Sequence, residues 1–247
     1  MNHLQRDVIS FYSDPTTAAA FHDDRYGGAI GEFFLREEVH SFRVVAGRLP
    51  PETVVLDLGA GTGKLIGAFD IGSRHVGMDR SLQMLRALKT RHPSIPLVVG
   101  DAHALPFRSR SVDVVTASRL LMHLTEWRRM VCESCRVARQ NVLLDFPVSP
   151  SLAALEPRFW GIIRRDAHPP HRVFTRREVR GAFAAVGFTE VRARHGFVLP
   201  YRLHRKLGRP WLSRALERIM RGVGLAYLIG SPAVVAFSSA PMSDTPT

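Results

Sequence analysis

The stretch Val54-Val55-Leu56-Asp57-Leu58-Gly59-Ala60-Gly61-Thr62-Gly63-Lys64-Leu65 decides how the rest of the chain is read. An apolar strand pattern runs straight into glycines at 59, 61 and 63. Glycine accepts turns that a side chain forbids, and it lets a ligand lie against bare main chain. Residues 63–69 are expected to be helical, so that the first turn offers free N–H groups and a positive dipole end. The spacing Gly-x-Gly-x-Gly, with Asp57 two residues ahead, is not the dinucleotide pattern Gly-x-Gly-x-x-Gly. Nor is it a phosphate-binding P-loop, because Leu65 stands after Lys64 where a magnesium-binding hydroxyl is needed.

Outward from that stretch the pattern alternates. Strands are expected at residues 53–58, 75–78, 97–99, 112–117 and 141–146, with helices at 63–69, 81–91 and 126–137. This order predicts an α/β, doubly wound, mostly parallel sheet with helices on both faces. Residues 2–48 read as helical, on the stripe Phe33, Phe34, Val39, Phe42 and Val45, ended by Pro50-Pro51. Beyond Pro150 a helix is expected at 151–165 and a loop at His168-Pro169-Pro170-His171. Thr175-Arg176-Arg177-Glu178 has capping-box spacing and opens a helix to Val186, closed by Gly187. A strand at 188–199, helix over 201–227 broken near Gly208-Arg209-Pro210, a last strand at 234–238 and a disordered tail at 242–247 complete the reading.

Two further acids fall at expected strand ends. Asp79 closes Val76-Gly77-Met78-Asp79-Arg80, where a carboxylate can accept both hydrogen bonds of a ribose diol. Asp101, in Val99-Gly100-Asp101-Ala102, is placed to receive a purine amino group, with the next backbone N–H serving a ring nitrogen. Three strand ends with suitable polar groups suit a nucleoside lying across the crest of the sheet.

These residues resemble the class I (Rossmann-like) S-adenosylmethionine-dependent methyltransferases. Asp57 with Gly59, Gly61 and Gly63 matches the first motif of that family, Asp79 its ribose acid and Asp101 its adenine-side acid. Ala104-Leu105-Pro106-Phe107 followed by Ser111-Val112-Asp113-Val114-Val115 matches the run into its fourth strand. The resemblance covers residues 50–146 and implies a seven-stranded sheet with the last strand antiparallel. It implies S-adenosylmethionine as cofactor, held by Asp57, Gly59, Ala60, Gly61, Gly63, Asp79, Arg80, Asp101, Ala102, Ser118 and Arg119. Spacing is most similar to the small-molecule branch that includes the ubiquinone and menaquinone C-methyltransferases. The Lys-Pro-Gly-Gly turn usual in that branch is replaced here by Val137-Ala138-Arg139-Gln140-Asn141. The implied domain layout is an N-terminal helical lid over 1–48, a methyltransferase domain over 49–241 with acceptor-side helical segments at 147–175 and 200–232, and the tail.

Methyl transfer from a sulfonium is an in-line displacement that needs alignment and exclusion of water, not a metal. His123, just beyond the fourth strand, is the candidate base where the acceptor must lose a proton. Tyr12, Arg25 and Tyr26 are candidates to face the site from the lid. Trp160, Phe159, Phe197, Tyr201, His204 and Trp211 offer aromatic surface to an acceptor, and Cys132 with Cys135 reads as a buried pair, not a metal site.

Composition narrows the partners. The 247 residues, 45% hydrophobic, suffice for one sizeable core. The first residues lack the apolar run of a secretory signal, and two cysteines make no disulfide framework, so a cytoplasmic location is expected. Net charge is +12, of which +2 falls in residues 1–150 and +10 in 151–247. The uncharged run 222–241 is split by Gly222, Gly224, Gly230 and Pro232 and reads as a helix end plus buried strand, not a membrane span. Trp211, Leu212, Ala215, Leu216, Ile219 and Met220 form a stripe beside arginines, suited to packing on the core, a lid, or peripheral contact with anionic membrane. The expected acceptor is a small, lipophilic or aromatic molecule. A nucleic-acid methyltransferase is the rival enzyme reading, although no recognised nucleic-acid module is visible. A non-catalytic cofactor-binding scaffold is the third.

Overall fold

The computed structural model describes residues 3–69, 74–149, 151 and 172–239. The apolar run ahead of the glycines forms β1 (Val54–Leu58), buried at every position after the first. Parallel to it lie β2 (Arg74–Asp79) on one side and β4 (Val112–Ala117) on the other, with Leu56 level with Val76 and Val115. With β3 (Leu97–Val99), β5 (Ala138–Phe146), β6 (Thr189–Phe197) and β7 (Ser231–Ser238), the sheet has the order β3-β2-β1-β4-β5-β7-β6. β7 pairs antiparallel with both β5 and β6, so it alone runs against the other six. The expected α/β class, strand count and antiparallel last strand all hold.

Alternation along each strand splits the core into two layers. Leu56, Leu58, Val115, Val142, Leu144, Val235 and Phe237 pack with α5 (Trp127–Val137) and α6 (Arg176–Ala184). Val55, Val114, Leu143, Val234 and Ala236 pack instead with Phe42, Val45 and Ala46 of α3 (Gly28–Ala46). Each buried Leu or Val contributes about 1.5–3 kcal/mol relative to exposure. Phe183 of α6 stacks on Phe237 of β7 at 3.7 Å, which fixes the helix on the sheet. Thr175 and Glu178 form the expected capping box at the start of α6.

Two N-terminal helices, α1 (His3–Ser13) and α2 (Pro15–Tyr26), pack on α4 (Leu82–Arg91). Asp14 caps α2 by accepting from Thr17 N at 2.7 Å, with Pro15 in the first turn. The basic C-terminal region forms α7 (Tyr201–Leu207), α8 (Pro210–Gly222) and α9 (Leu225–Ile229). Left-handed Gly208 and then Pro210 make the expected break.

The structure corrects several local expectations. Residues 63–69 do not form a helix. Gly63 at φ 92° and Gly67 at φ 71° turn the chain left-handed, and Gly63, Ile66 and Ala68 N–H each bond a carbonyl three residues back. No helix dipole therefore points at the glycine loop. β5 starts directly at Ala138, and β7 at Ser231, ahead of the expected positions. Cys135 is buried but Cys132 is exposed, so the two are not a buried pair. The expected helix at 151–165, the loop at 168–171, Phe159, Trp160 and the tail at 242–247 lie outside the described residues, Ser151 excepted.

Candidate active site

A cavity of about 340 Å³ opens at the carboxyl ends of β1 to β4, within the range of small-molecule sites. The strand order reverses between β1 and β4, the place where open α/β sheets bind ligands. Asp57, Gly59, Ala60, Gly61, Asp79, Arg80, Asp101, Ala102, Ser118, Arg119 and His123 all line it. Gly63 does not: a side chain there would meet Leu88 and His92 of the α4 region, so its place is in the turn and not at the cavity.

The first glycine is dictated by packing as well as by conformation. Gly59 has φ 65°, and a Cβ on it would come 3.0 Å from Leu120 Cδ1. The turn is then held by Asp79, whose Oδ2 accepts from Gly61 N at 2.9 Å while Oδ1 accepts from Ser81 N at 2.8 Å. Burial pushes the Asp79 carboxyl up, against the pull of these backbone bonds. Asp101 Oδ1 accepts from His103 N at 2.9 Å and meets His103 Nδ1 at 2.7 Å, and Arg80 stands 3.6 Å from its other oxygen. His103, which the sequence reading passed over, also lines the cavity, and its buried Nε2 has no hydrogen-bond partner among the described residues.

Asp57 lies at the floor, 2% exposed, and its Oδ1 accepts from Thr116 Oγ1 at 2.8 Å. Burial pushes its carboxyl up to about 7, although the Thr116 bond and Lys64 act the other way. A cationic ligand beside a buried carboxylate of this kind would favour its charged form. Asp145, near the end of β5, anchors the loop after β4: it accepts from Arg119 N and from Ser118 Oγ, the latter at 3.5 Å. Arg119 itself is held at φ 55°, unusual for a residue with a side chain.

The N-terminal helices close the other wall. Val8, Ile9, Tyr12, Phe21, Arg25 and Tyr26 line the cavity. Tyr12 Oη lies 3.4 Å from His123 Nε2, with the rings edge to face at 5.7 Å. His123 ends a 3-10 turn, Leu121–His123, that follows β4. Burial raises the Tyr12 hydroxyl pKa against the opposing pull of Arg119 and Arg25. Ser81 Oγ donates to Tyr12 O at 2.6 Å, which ties α1 to the end of β2.

Behind this wall Glu38 of α3 is 5% exposed and gathers three partners from distant parts of the chain. Lys64 Nζ stands at 2.7 Å, Tyr201 Oη at 2.7 Å and Tyr26 Oη at 3.1 Å. Burial alone would raise the Glu38 carboxyl, but Lys64, Arg25 and Arg119 hold it well below the usual carboxylate range. Among the described residues, the aromatic side chains expected to face an acceptor are placed otherwise. Phe197, Tyr201 and His204 pack with Phe33 and Phe34 away from the cavity, and Trp211 is exposed to solvent. Among the described residues no cluster of three or more His, Cys, Asp or Glu could hold a metal, and no helix is long and apolar enough to cross a membrane.

Comparison with known proteins falls on the same segment. A family profile described as a methyltransferase domain matches residues 56–144. The malonyl-[acyl-carrier protein] O-methyltransferase of Methylococcus capsulatus is 34% identical over 151 residues, covering 58% of this chain and 54% of that protein. The demethylmenaquinone methyltransferase of Renibacterium salmoninarum is 41% identical over 90 residues, covering 36% of this chain and 38% of that protein. The chain thus spans about half the length of the first of these relatives and less of the second. Among solved structures, magnesium protoporphyrin IX methyltransferase from Synechocystis PCC 6803 with bound S-adenosylhomocysteine superposes with a TM-score of 0.67 at 15% identity. That match covers 96% of this chain and all of the other. Sheet order and sequence likeness coincide: residues 56–144 match a methyltransferase domain, set in a seven-stranded Rossmann-like sheet of the kind seen in solved methyltransferases.

Proposed function

We propose that this chain is an S-adenosylmethionine-dependent methyltransferase that acts on a small, lipophilic, aromatic or quinone-like molecule. One observation carries the reading: Asp101, Asp79 and Asp57, at or beside the carboxyl ends of three neighbouring strands, line one glycine-floored cavity, in that order toward β4. The order suits adenine at Asp101 and Ala102, ribose at Asp79, and the methionine moiety over Gly59 and Gly61 beside Ser118 and Arg119. Asp57 fits the cofactor's cationic end, and His103 Nε2 offers a buried polar atom on the adenine side. When bound, the cofactor supplies an electrophilic methyl group on a sulfonium.

The chain's own residues then align the acceptor. Val8, Ile9, Phe21, Met122 and Leu124 give an apolar wall that favours a lipophilic ring and keeps water out. Held against this wall, the acceptor would present its nucleophilic atom to the methyl group that the bound cofactor would supply. His123, oriented by Tyr12, takes the acceptor's proton where one must leave. The acceptor class is supported by this wall and by the likeness to a demethylmenaquinone methyltransferase. A cytoplasmic chain in peripheral contact with anionic membrane belongs to the same proposal, because a lipophilic acceptor partitions into a bilayer.

Isothermal titration with S-adenosylmethionine tests the cofactor half. Asp79→Ala is expected to weaken binding about 10- to 100-fold, the worth of hydrogen bonds to a charged group. Unchanged affinity would show that the nucleoside lies elsewhere. Transfer of a labelled methyl group to a reduced naphthoquinone probe tests the acceptor half. His123→Ala is expected to lower kcat by about 10²- to 10⁴-fold with little change in cofactor affinity. Full turnover in that variant would remove His123 from the chemistry.

A further inference from the structure

α8 is built inside out. Its buried positions are Ser213 and Glu217, while Trp211 and Ile219 are 63% and 64% exposed. Trp211, Ala215, Ile219 and Val223 recur every fourth residue, so they share one face, and that face points outward. Val223, Tyr227 and Leu228, 66–70% exposed, extend the patch through α9. Six of the nine large exposed apolar side chains among the described residues fall between Leu203 and Leu228.

This orientation is imposed by bonds on the opposite side. Glu217 accepts from Val198 N at 3.0 Å, Leu199 N at 2.9 Å and His204 Nε2 at 3.1 Å. Turning the apolar face inward would strip two backbone donors and a buried histidine of their acceptor, at a cost of about 1–3 kcal/mol for each group. The exposed face is therefore the stable arrangement of this helix.

The charge around the patch is of one sign. Glu217 is the one acid between residues 200 and 230, and it is buried. Arg202, Arg205, Lys206, Arg209, Arg214 and Arg218 are exposed around the apolar side chains. An interfacial helix has this composition: aromatic and aliphatic residues that enter the acyl boundary, flanked by arginines that meet anionic headgroups. A second copy of the chain on the same patch would bring two arginine rims together, which like charges oppose. An aliphatic face gives nothing to a phosphate backbone, so nucleic acid fits poorly. The surface also adjoins the cavity. Arg205 Nη2 donates to the carbonyls of Asp24 and Arg25 at 3.4 and 3.0 Å, at the end of α2 whose Arg25 and Tyr26 line it.

We infer that the outward face of α8 and α9 docks this protein on an anionic lipid surface, with Trp211, Ile219, Val223, Tyr227 and Leu228 inserted and the arginines at headgroup level. This deepens the peripheral membrane contact proposed with the function above, but its observations lie outside the cavity, so vesicle binding and cofactor binding can fail independently.

Co-sedimentation of the full chain with phosphatidylcholine vesicles, with and without phosphatidylglycerol, is the test. The wild type is expected to bind the mixed vesicles and to lose binding in high salt. Ile219→Ser with Val223→Ser should reduce binding to background. Arg214→Gln with Arg218→Gln should weaken it about 30-fold, at about a tenfold loss or less per arginine near the surface. Absence of binding to mixed vesicles, or binding indifferent to both double variants, would overturn the inference. So would a lipid-free dimer in sedimentation velocity that Ile219→Ser with Val223→Ser dissolves, since the patch would then be covered by a second copy. Cofactor titration on the same samples separates the two proposals: vesicle binding without cofactor binding supports this surface and counts against the enzyme.

Discussion

At the tip of β1 a carboxylate is buried and faces a cavity; on α8, a carboxylate is buried so that apolar side chains can face outward. Asp57 lies under the cavity with one bond from Thr116, and its carboxyl is pushed toward neutrality. Glu217 is equally buried but accepts three hydrogen bonds, two of them from backbone. The difference separates two uses of a buried acid. An acid with spare acceptor capacity, open to a cavity, awaits a ligand; an acid whose capacity is spent within the chain fixes an element's orientation. Glu38 is of the second kind, holding α2, the turn after β1 and α7 together.

That comparison can be broken most easily at Glu38. Glu38→Ala leaves Lys64 buried without its partner, and chemical denaturation should show a loss of about 3–5 kcal/mol. A loss below about 1 kcal/mol would mean that the network is ornamental. Asp57 is expected to act through pH. Its folded pKa stands above the unfolded value, so it costs nothing below pH 4 and penalises the folded state increasingly as pH rises toward 7. The stability of the wild type relative to Asp57→Asn should therefore fall by on the order of 2–4 kcal/mol between pH 4 and 7, measured without cofactor. Parallel stability curves for the two proteins would contradict a strained acid at that position.

The outward helix sharpens the contrast at smaller scale. Glu217→Ala should cost about 3 kcal/mol, since Val198 N, Leu199 N and His204 lose their acceptor at about 1 kcal/mol or more each. Ile219→Ser and Val223→Ser should each change stability by less than about 0.5 kcal/mol, because neither side chain is packed. A cost of about 2 kcal/mol or more from either serine would show that the face is buried in solution.

What the sequence disclosed and what it concealed divide along the same line. Strands such as Val54–Leu58 were legible because alternation and glycine punctuation are local, and the acids at their ends could be placed by counting. The turn after Gly61 was misread as a helix because the apolar residues 65, 66 and 69 mimic helical spacing, while the positive φ at Gly63, packed against Leu88 of α4, and at Gly67 leaves no mark in hydropathy. The Glu38 network was invisible because its partners lie at 26, 64 and 201, and no periodicity links them. Tyr12 was nominated as a residue facing the site, yet its pairing with His123, 111 positions away, left no trace in spacing. For α8, periodicity revealed an apolar stripe but not its direction. The direction is set by Glu217, a residue that hydropathy alone assigns to solvent.

Ser81 fastens the first helix through the main-chain carbonyl of Tyr12 and not through its ring. Every amino acid carries that carbonyl, so the fastening survives any replacement at position 12. The ring, which meets His123, Phe11 and Phe21, takes no part in that tie. A different side chain there would reshape the wall of the cavity while the point of attachment stays the same.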